Sequence, residues 1–137
     1  NSPGGEIYAG LGIYDTMQAI NAPVSTVVVG FAASFGTVIL SSGAPGLRHA
    51  LPNATVHLHQ PLGGARGQAS DIVIQANEIV RQKAQIYKII AKHAGKTSEY
   101  IEKLSERDIY FTPETAIEHG LIDSILDRHA GDGETLT

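Results

Sequence analysis

The sequence predicts an α/β fold with one domain over residues 1–137, because short and long apolar segments alternate along the chain. The short segments are rich in β-branched residues, which favour strands, and the long segments show helical spacing. Such alternation is typical of α/β proteins, in which helices cover the strands of a sheet. A hydrophobic content of 42% provides enough apolar side chains for a single core.

The N-terminal half is predicted to contain two helices and several short strands. The run over 24–29 is rich in β-branched residues and predicts a buried strand. Gly43 follows an apolar stretch that begins at Ser34 and is a helix stop signal. The expected elements are a helix over 8–20, a strand over 24–29, a helix over 34–42, and short strands over 47–51 and 55–59.

One long helix dominates the C-terminal half. Three glycines in seven positions over 62–68 indicate an extended or mobile loop before it, and Gly95 is the expected helix stop. The expected elements are a helix over 70–93, a short helix after Thr97, a helix from Thr112 and Pro113 to Gly120, an apolar segment over 121–126, and a disordered polar tail over 130–137.

Composition argues against several classes of protein. The net charge is −4 and no basic stripe is present, so nucleic-acid binding is not expected. The chain has no cysteine for a disulfide framework, and no apolar run reaches the roughly 18 residues of a membrane span. It begins at Asn1 without Met, which predicts a fragment that lacks an N-terminal region.

A serine between two apolar runs is the most informative feature. Ser34 lies between a predicted strand and a predicted helix, among small residues over 30–36. A turn of this kind can expose a serine hydroxyl, and the amide of Phe35 then points to where an oxyanion would form. The G-x-S-x-G pattern is absent, however, and small residues before a buried helix also simply permit close packing.

Further motifs follow a recognisable order along the whole chain. They are Asn-Ser-Pro-Gly-Gly at 1–5, Ala-Ala-Ser-x-Gly at 32–36, His-Gln-Pro-Leu-Gly-Gly at 59–64 and Glu-Arg-Asp at 106–108. Their order and spacing resemble those of the proteolytic subunits of the Clp protease, the ClpP family of serine peptidases. The resemblance implies a ClpP/crotonase-type spiral fold with a protruding strand-helix handle, which periodicity alone cannot predict.

The resemblance implies a role for five residues. Ser34 would be the nucleophile, His59 the general base and Asp108 the carboxylate that orients the base. The amides of Gly5 and Phe35 would form the oxyanion hole. The residue types suit these roles, because histidine titrates near neutrality and a carboxylate stabilises the imidazolium. Without its motif, Asp108 would be an ordinary solvated acid in a cluster of charges.

A second histidine, His57, lies two residues before His59, so strand alternation places both side chains on one face. A His-x-His pair can bind zinc. No cysteine is present and no further ligands lie at suitable spacing, so no metal is expected. The family usually has an apolar residue at this position, and we interpret His57 as a neighbour of the site.

The resemblance also implies an assembly of subunits. In the family, the glycine-rich segment and the long helix form a handle between two stacked heptameric rings, which enclose a chamber. Asp71, Glu106 and Arg107 stand at positions that form ion pairs between the rings. In an isolated chain such charges would be ordinary solvated groups of little energetic value.

The expected partners are further copies of the chain or paralogous subunits, polypeptide substrates, and an AAA+ unfoldase of the ClpX, ClpA or ClpC type. ATP would be used by the unfoldase, and no cofactor is expected in the subunit itself. The apolar groove for the unfoldase corresponds to Ala19, Val27, Val29, His49 and Leu126. Ala19 and His49 stand where bulky aromatic residues are frequent, which favours a mixed ring or a divergent species.

The expected function is that of a serine endopeptidase that degrades misfolded or tagged proteins with an ATP-driven partner. Its expected location is the cytoplasm, or an organelle if a targeting segment precedes the chain. Two alternatives stay open. A non-catalytic ring subunit would share the fold, but such relatives typically lose triad residues that are all present here. A crotonase-like CoA-thioester enzyme would share the superfold and the oxyanion hole without needing this Ser-His-Asp set.

Overall fold

The structure is a computed structural model that describes residues 1–126. It confirms the predicted α/β class, with helices α1 (Ile7–Ala19), α2 (Phe35–Ser41), α3 (Ala69–Ala94), α4 (Ser98–Leu104) and α5 (Pro113–Glu118). The strands are β1 (Thr26–Val28), β2 (Phe31–Ala33), β3 (Arg48–Ala50), β4 (Thr55–Leu58), β5 (Ile109–Phe111) and β6 (Ser124–Ile125). The disordered tail predicted over 130–137 lies outside the described residues.

The helices begin and end at the signals that the sequence contains. Thr97 caps α4 by accepting a hydrogen bond from an amide in its first turn, and Thr112 does the same for α5. Gly95 ends α3 in the left-handed conformation with a φ of 64°. Each predicted helix boundary therefore lies within two residues of the observed one.

The described strands form two small sheets. In the first sheet β1, β3 and β6 are parallel and lie in that order. In the second sheet β4 lies between β2, to which it is parallel, and β5, to which it is antiparallel. Because β2 ends just before Ser34 and β4 ends just before His59, the parallel pairing brings both residues to the same edge of this sheet.

Strands β2 and β5 are not predicted by the sequence. Each has three residues, which is too short for an alternating pattern to be recognised. Asp108 lies on the segment that connects α4 to α5 and immediately precedes β5 within it. The antiparallel pairing of β5 with β4 then brings Asp108 beside the two histidines.

The core packs around α2, the two sheets and the C-terminal half of α3. In α3, fully buried positions begin at Gln82, whereas the preceding part of the helix is exposed or half-buried. Several apolar side chains are exposed in or before that part: Leu62, Ile72, Val73, Ile74 and Val80. Neither α3 nor any other helix of residues 1–126 is both long and apolar enough to cross a membrane.

A buried arginine, Arg48 on β3, ties separate parts of the chain together. Its guanidinium donates to both carboxylate oxygens of Asp123, which precedes β6. It also donates to the backbone carbonyls of Ser41, His93 and Gly120. Its hydrogen bonds to Asp123 hold the pKa of that carboxyl below its usual range, against the effect of burial. The pair therefore anchors the C-terminal strand to the first sheet.

Replacing Asp123 with asparagine should destabilise the chain by about 3 kcal/mol, because the buried guanidinium loses its counter-charge. The lowered pKa means that the carboxylate stabilises the fold fully above its unfolded-state pKa of about 3.9. This stabilisation is lost as the pH falls through the folded-state pKa. Urea unfolding at about pH 6 and about pH 3 should show a smaller loss of stability on acidification for Asp123→Asn than for the wild type. An equal loss would mean that another group causes the acid sensitivity.

Candidate active site

Ser34 occupies a strained turn between β2 and α2. Its φ of 54° and ψ of −122° are those of the first central residue of a type II′ turn, where glycine is favoured. Within residues 1–126 no other non-glycine residue has a positive φ. Such a conformation costs about 1–3 kcal/mol and persists where neighbouring groups enforce it.

Hydrogen bonds from the neighbouring elements hold this turn. The Ser34 amide donates to the carbonyl oxygen of His57 at 3.2 Å. The buried hydroxyl of Thr37 lies 2.6 Å from the same carbonyl oxygen and 3.0 Å from that of Ala32. The Ser34 hydroxyl makes no capping bond to α2. The backbone of the serine is therefore fixed to β4, while its hydroxyl is not engaged in holding the helix.

The glycine pair at the N-terminus lies directly against the serine. A Cβ on Gly4, whose φ is +94°, would come within 2.6 Å of the Ser34 Cβ and 2.7 Å of the Ala33 carbonyl oxygen. It would also lie 3.1 Å from the Phe35 amide nitrogen. An approach this close requires glycine. The backbone around Gly4 and Gly5 therefore lies beside the amide that the sequence assigns to the oxyanion hole.

Ser34 and His59 line one cavity of about 340 Å³, together with Gly5 and Phe35. Apolar residues form the rest of its wall: Pro3, Ile7, Val38, Leu58, Pro61, Leu62 and Ile86. Four of the five residues predicted for the chemistry are thus brought together, although no hydrogen bond joins the Ser34 hydroxyl to His59 within residues 1–126. A cleft of this kind can hold an apolar side chain beside a nucleophile and a base.

Asp108, the fifth predicted residue, lies next to both histidines. Its Oδ1 is 3.2 Å from His57 Nε2, which is hydrogen-bonding distance, and 4.0 Å from His59 Nδ1. The Asp108 side chain is 66% exposed. Its carboxylate is therefore hydrogen-bonded to His57 and lies close to His59 without bonding to it.

His57 is held within a stack of rings, a contact that sequence reasoning missed. Its ring lies 4.4 Å from that of Tyr110, 5.2 Å from that of His59 and 6.1 Å from that of Phe31. Its Nδ1 is buried without a hydrogen-bond partner among residues 1–126. Alternation along the chain indicates that both histidines share a face. The contact with Tyr110 could not be predicted, because Tyr110 lies on β5, a strand that the sequence does not predict.

The residues expected at the contact between rings are all exposed. Asp71 lies in the first turn of α3, and Glu106 and Arg107 lie on the connection between α4 and β5. None of the three forms an ion pair within the described part of the chain. No group of three or more metal-binding side chains occurs there either.

Most residues expected in the groove for the unfoldase lie along the first sheet. Val27 pairs with His49 in the parallel register, and the apolar side chains of Val27, Val29 and Leu126 are exposed. His49 contributes a polar surface, because its Nδ1 lies 2.8 Å from the Ser124 hydroxyl. The fifth expected residue, Ala19, is exposed at the end of α1.

The fold is mixed α/β, and a serine on a strained strand-to-helix turn lines the same cleft as a histidine, an arrangement that serine hydrolases of several folds share. The family model described as Clp protease matches residues 1–129. The chain therefore belongs to the Clp protease family, as the resemblance predicts.

Curated relatives from two bacterial species carry the name ATP-dependent Clp protease proteolytic subunit. The protein from Dehalococcoides mccartyi is 56% identical over 128 residues, which are 93% of this chain and 64% of that protein. The protein from Porphyromonas gingivalis is 53% identical over 129 residues, which are 94% of this chain and 58% of that protein. The chain thus spans less than two thirds of the length of these relatives.

Proposed function

We propose that this chain is the peptidase part of an ATP-dependent Clp protease subunit, and that it is a serine endopeptidase cleaving unfolded polypeptides to short peptides. The observation that carries the proposal is the cleft that Ser34 and His59 share. The strained backbone of Ser34 supports it further, since such strain is concentrated at functional sites.

In the proposed reaction, His59 accepts the proton of Ser34 as the serine oxygen attacks the scissile carbonyl carbon. The amides of Gly5 and Phe35 stabilise the oxyanion that forms. Protonated His59 then gives its proton to the leaving amine. Water, deprotonated in turn by His59, attacks the acyl carbon. The bond from that carbon to the serine oxygen then breaks, and His59 returns the proton to the serine oxygen. Asp108 would hold the tautomer of His59 once its carboxylate moves about 1 Å closer than the observed 4.0 Å.

The walls of the cleft indicate the substrate side chain. They are mostly apolar, with Val38, Leu58 and Ile86 among the lining residues, and no charged side chain other than a protonatable histidine is among them. A cavity of about 340 Å³ fits one large side chain. We therefore expect cleavage after apolar residues in preference to charged ones.

Labelling with a fluorophosphonate probe tests the reaction class. The probe should attach covalently to Ser34, as located by mass spectrometry of the labelled peptide, and should block hydrolysis of a fluorogenic peptide with an apolar residue before the scissile bond. A non-catalytic ring subunit would not be labelled and would not hydrolyse the peptide. A thioester-processing enzyme would act on an acyl-CoA instead.

We further propose that two rings of this subunit stack through α3. The exposed apolar side chains of its N-terminal half provide the surface, and Asp71, Glu106 and Arg107 provide charges that are unpaired within residues 1–126. An AAA+ unfoldase would dock on the exposed residues along the first sheet and would use the ATP that the relatives' name implies, while the peptidase itself would use no cofactor. Other subunits can contribute the aromatic residues that this groove lacks.

Arg107→Ala should lower peptidase activity roughly 10- to 100-fold and favour single rings, although Arg107 is not expected to touch substrate. Its backbone is bonded directly to that of Asp108, so a lost contact between rings would displace the carboxylate by a fraction of an ångström or more. Sedimentation velocity and peptide hydrolysis on the same samples measure both effects. Lys103→Ala, an exposed charge on the neighbouring helix, is the matched control.

The double variant Asp71→Arg with Arg107→Asp tests whether the contact is direct. It should recover part of the assembly and activity if the two side chains pair across the rings. Full activity of Arg107→Ala in an unchanged assembly would mean that Arg107 is simply a solvated charge.

A further inference from the structure

His57 is hydrogen-bonded to the carboxylate of Asp108, whereas in the proposed reaction that carboxylate orients His59. Its Nε2 lies 3.2 Å from Asp108 Oδ1, whereas His59 Nδ1 lies 4.0 Å from the same oxygen. An ionised carboxylate only accepts hydrogen bonds, so His57 must carry its proton on Nε2. Its Nδ1 is buried without a partner. A neutral imidazole carries one proton, so a proton on Nε2 leaves none on Nδ1. The bond to Asp108 therefore decides the tautomer of His57.

The ring of His57 is fixed, whereas the carboxylate of Asp108 can move. His57 is 9% exposed, and its ring stacks with that of Tyr110 of β5 at 4.4 Å and with that of His59 at 5.2 Å. Phe31 of β2 lies on the same ring at 6.1 Å and is uncharged, and α2 contacts His57 through an uncharged hydroxyl. Within residues 1–126, the ionisable groups recorded in contact with the His57 ring are Asp108, His59 and Tyr110.

We propose that His57 is a positioning residue that withholds Asp108 from His59, so that the two histidines compete for one carboxylate. This inference rests on the proposed function. While Asp108 is bonded to His57, His59 lacks the partner that would orient its ring and stabilise its protonated form. The triad is completed when the exposed Asp108 side chain exchanges one histidine for the other, a movement of about 1 Å from 4.0 Å to hydrogen-bonding distance.

The competition depends on the N–H donor of His57. A side chain without a donor at this position removes the competing hydrogen bond, so that the Asp108 carboxylate can bond to His59 alone.

The test compares kcat/KM for a fluorogenic peptide in the wild type, His57→Met and His57→Gln. Methionine fills the site without a donor, so His57→Met should be about threefold more active than the wild type. Glutamine keeps an N–H donor for Asp108, so His57→Gln should restore the lower activity of the wild type.

A double-mutant cycle shows whether the effect passes through the carboxylate. In an Asp108→Asn background, His57→Met should no longer raise the residual activity, because no carboxylate remains to be released. Circular dichroism and sedimentation velocity establish that each variant is folded and assembled. If His57→Met does not fold, His57→Leu, which also lacks a donor, takes its place in the test.

Two outcomes would overturn the inference while leaving the proposed function intact. One is a folded His57→Met whose kcat/KM equals that of the wild type and of His57→Gln. The other is a folded His57→Met as impaired as Asp108→Ala, which would show that His57 supports the triad. A wild-type protein that neither hydrolyses peptides nor reacts with a fluorophosphonate would instead overturn the proposed function itself.

Discussion

Ser34→Ala should abolish peptide hydrolysis and leave the folded chain intact. Removing the nucleophile of a triad typically costs about 10⁴- to 10⁶-fold in kcat, because the members act as a unit. The hydroxyl makes no capping bond to α2, and the turn is held through backbone groups and Thr37, so its loss should change stability by less than about 1 kcal/mol. Peptide hydrolysis measures the activity, fluorophosphonate labelling measures the reactivity of the serine, and urea unfolding measures the stability.

Two control variants separate the chemistry from the backbone. Ser25→Ala removes an exposed hydroxyl that bonds to the Leu47 carbonyl and should keep full activity. Ser34→Gly should be as inactive as Ser34→Ala but more stable by about 1 kcal/mol, because glycine tolerates a φ of 54°. Substantial hydrolysis by purified Ser34→Ala would show that another residue is the nucleophile.

Gly4→Ala should cost both stability and activity. The new Cβ would overlap the Ser34 Cβ at 2.6 Å and the Ala33 carbonyl oxygen at 2.7 Å, and both neighbours belong to the turn that holds the serine. The residue also has a φ of +94°, which alanine adopts at a cost. We expect a loss of about 2–4 kcal/mol in the free energy of unfolding. Activity should fall by about 100-fold or more, because the serine and the oxyanion amides would be displaced.

Gly12→Ala is the matched control for this substitution. Gly12 lies within α1, and a Cβ there meets nothing within 4 Å. Alanine at this exposed helical position should stabilise the chain by up to about 1 kcal/mol without changing activity. Unfolding by urea measures the stability of each variant, and the rate of fluorophosphonate labelling measures the reactivity of Ser34. A Gly4→Ala variant that labels as fast as the wild type would mean that the Gly4 backbone does not position Ser34.

The helices could be predicted from the sequence because their signals are local. Periodic apolar residues span many turns of α3, and Thr97, Thr112 and Gly95 mark helix ends through contacts within one turn of the chain. The strands β1, β3 and β4 were also predicted, since their β-branched or apolar runs are bounded by turn residues. Strands β2 and β5 could not be predicted, because three residues carry no period and their pairing depends on distant segments.

The sequence by itself determined the family, the α/β class and the chemical character of the candidate site. Motifs record which side chains are present and at what spacing, so a serine, two histidines and an aspartate could be singled out without coordinates. Only the tertiary structure decided how these groups lie relative to one another. The positive φ of Ser34 arises from bonds to β4 and from the approach of Gly4. The partner of Asp108 depends on a difference of 0.8 Å between two histidines, 3.2 Å against 4.0 Å, which follows from the packing of β4 against β5. Such distances are set by contacts between residues far apart in sequence, and no local pattern contains them.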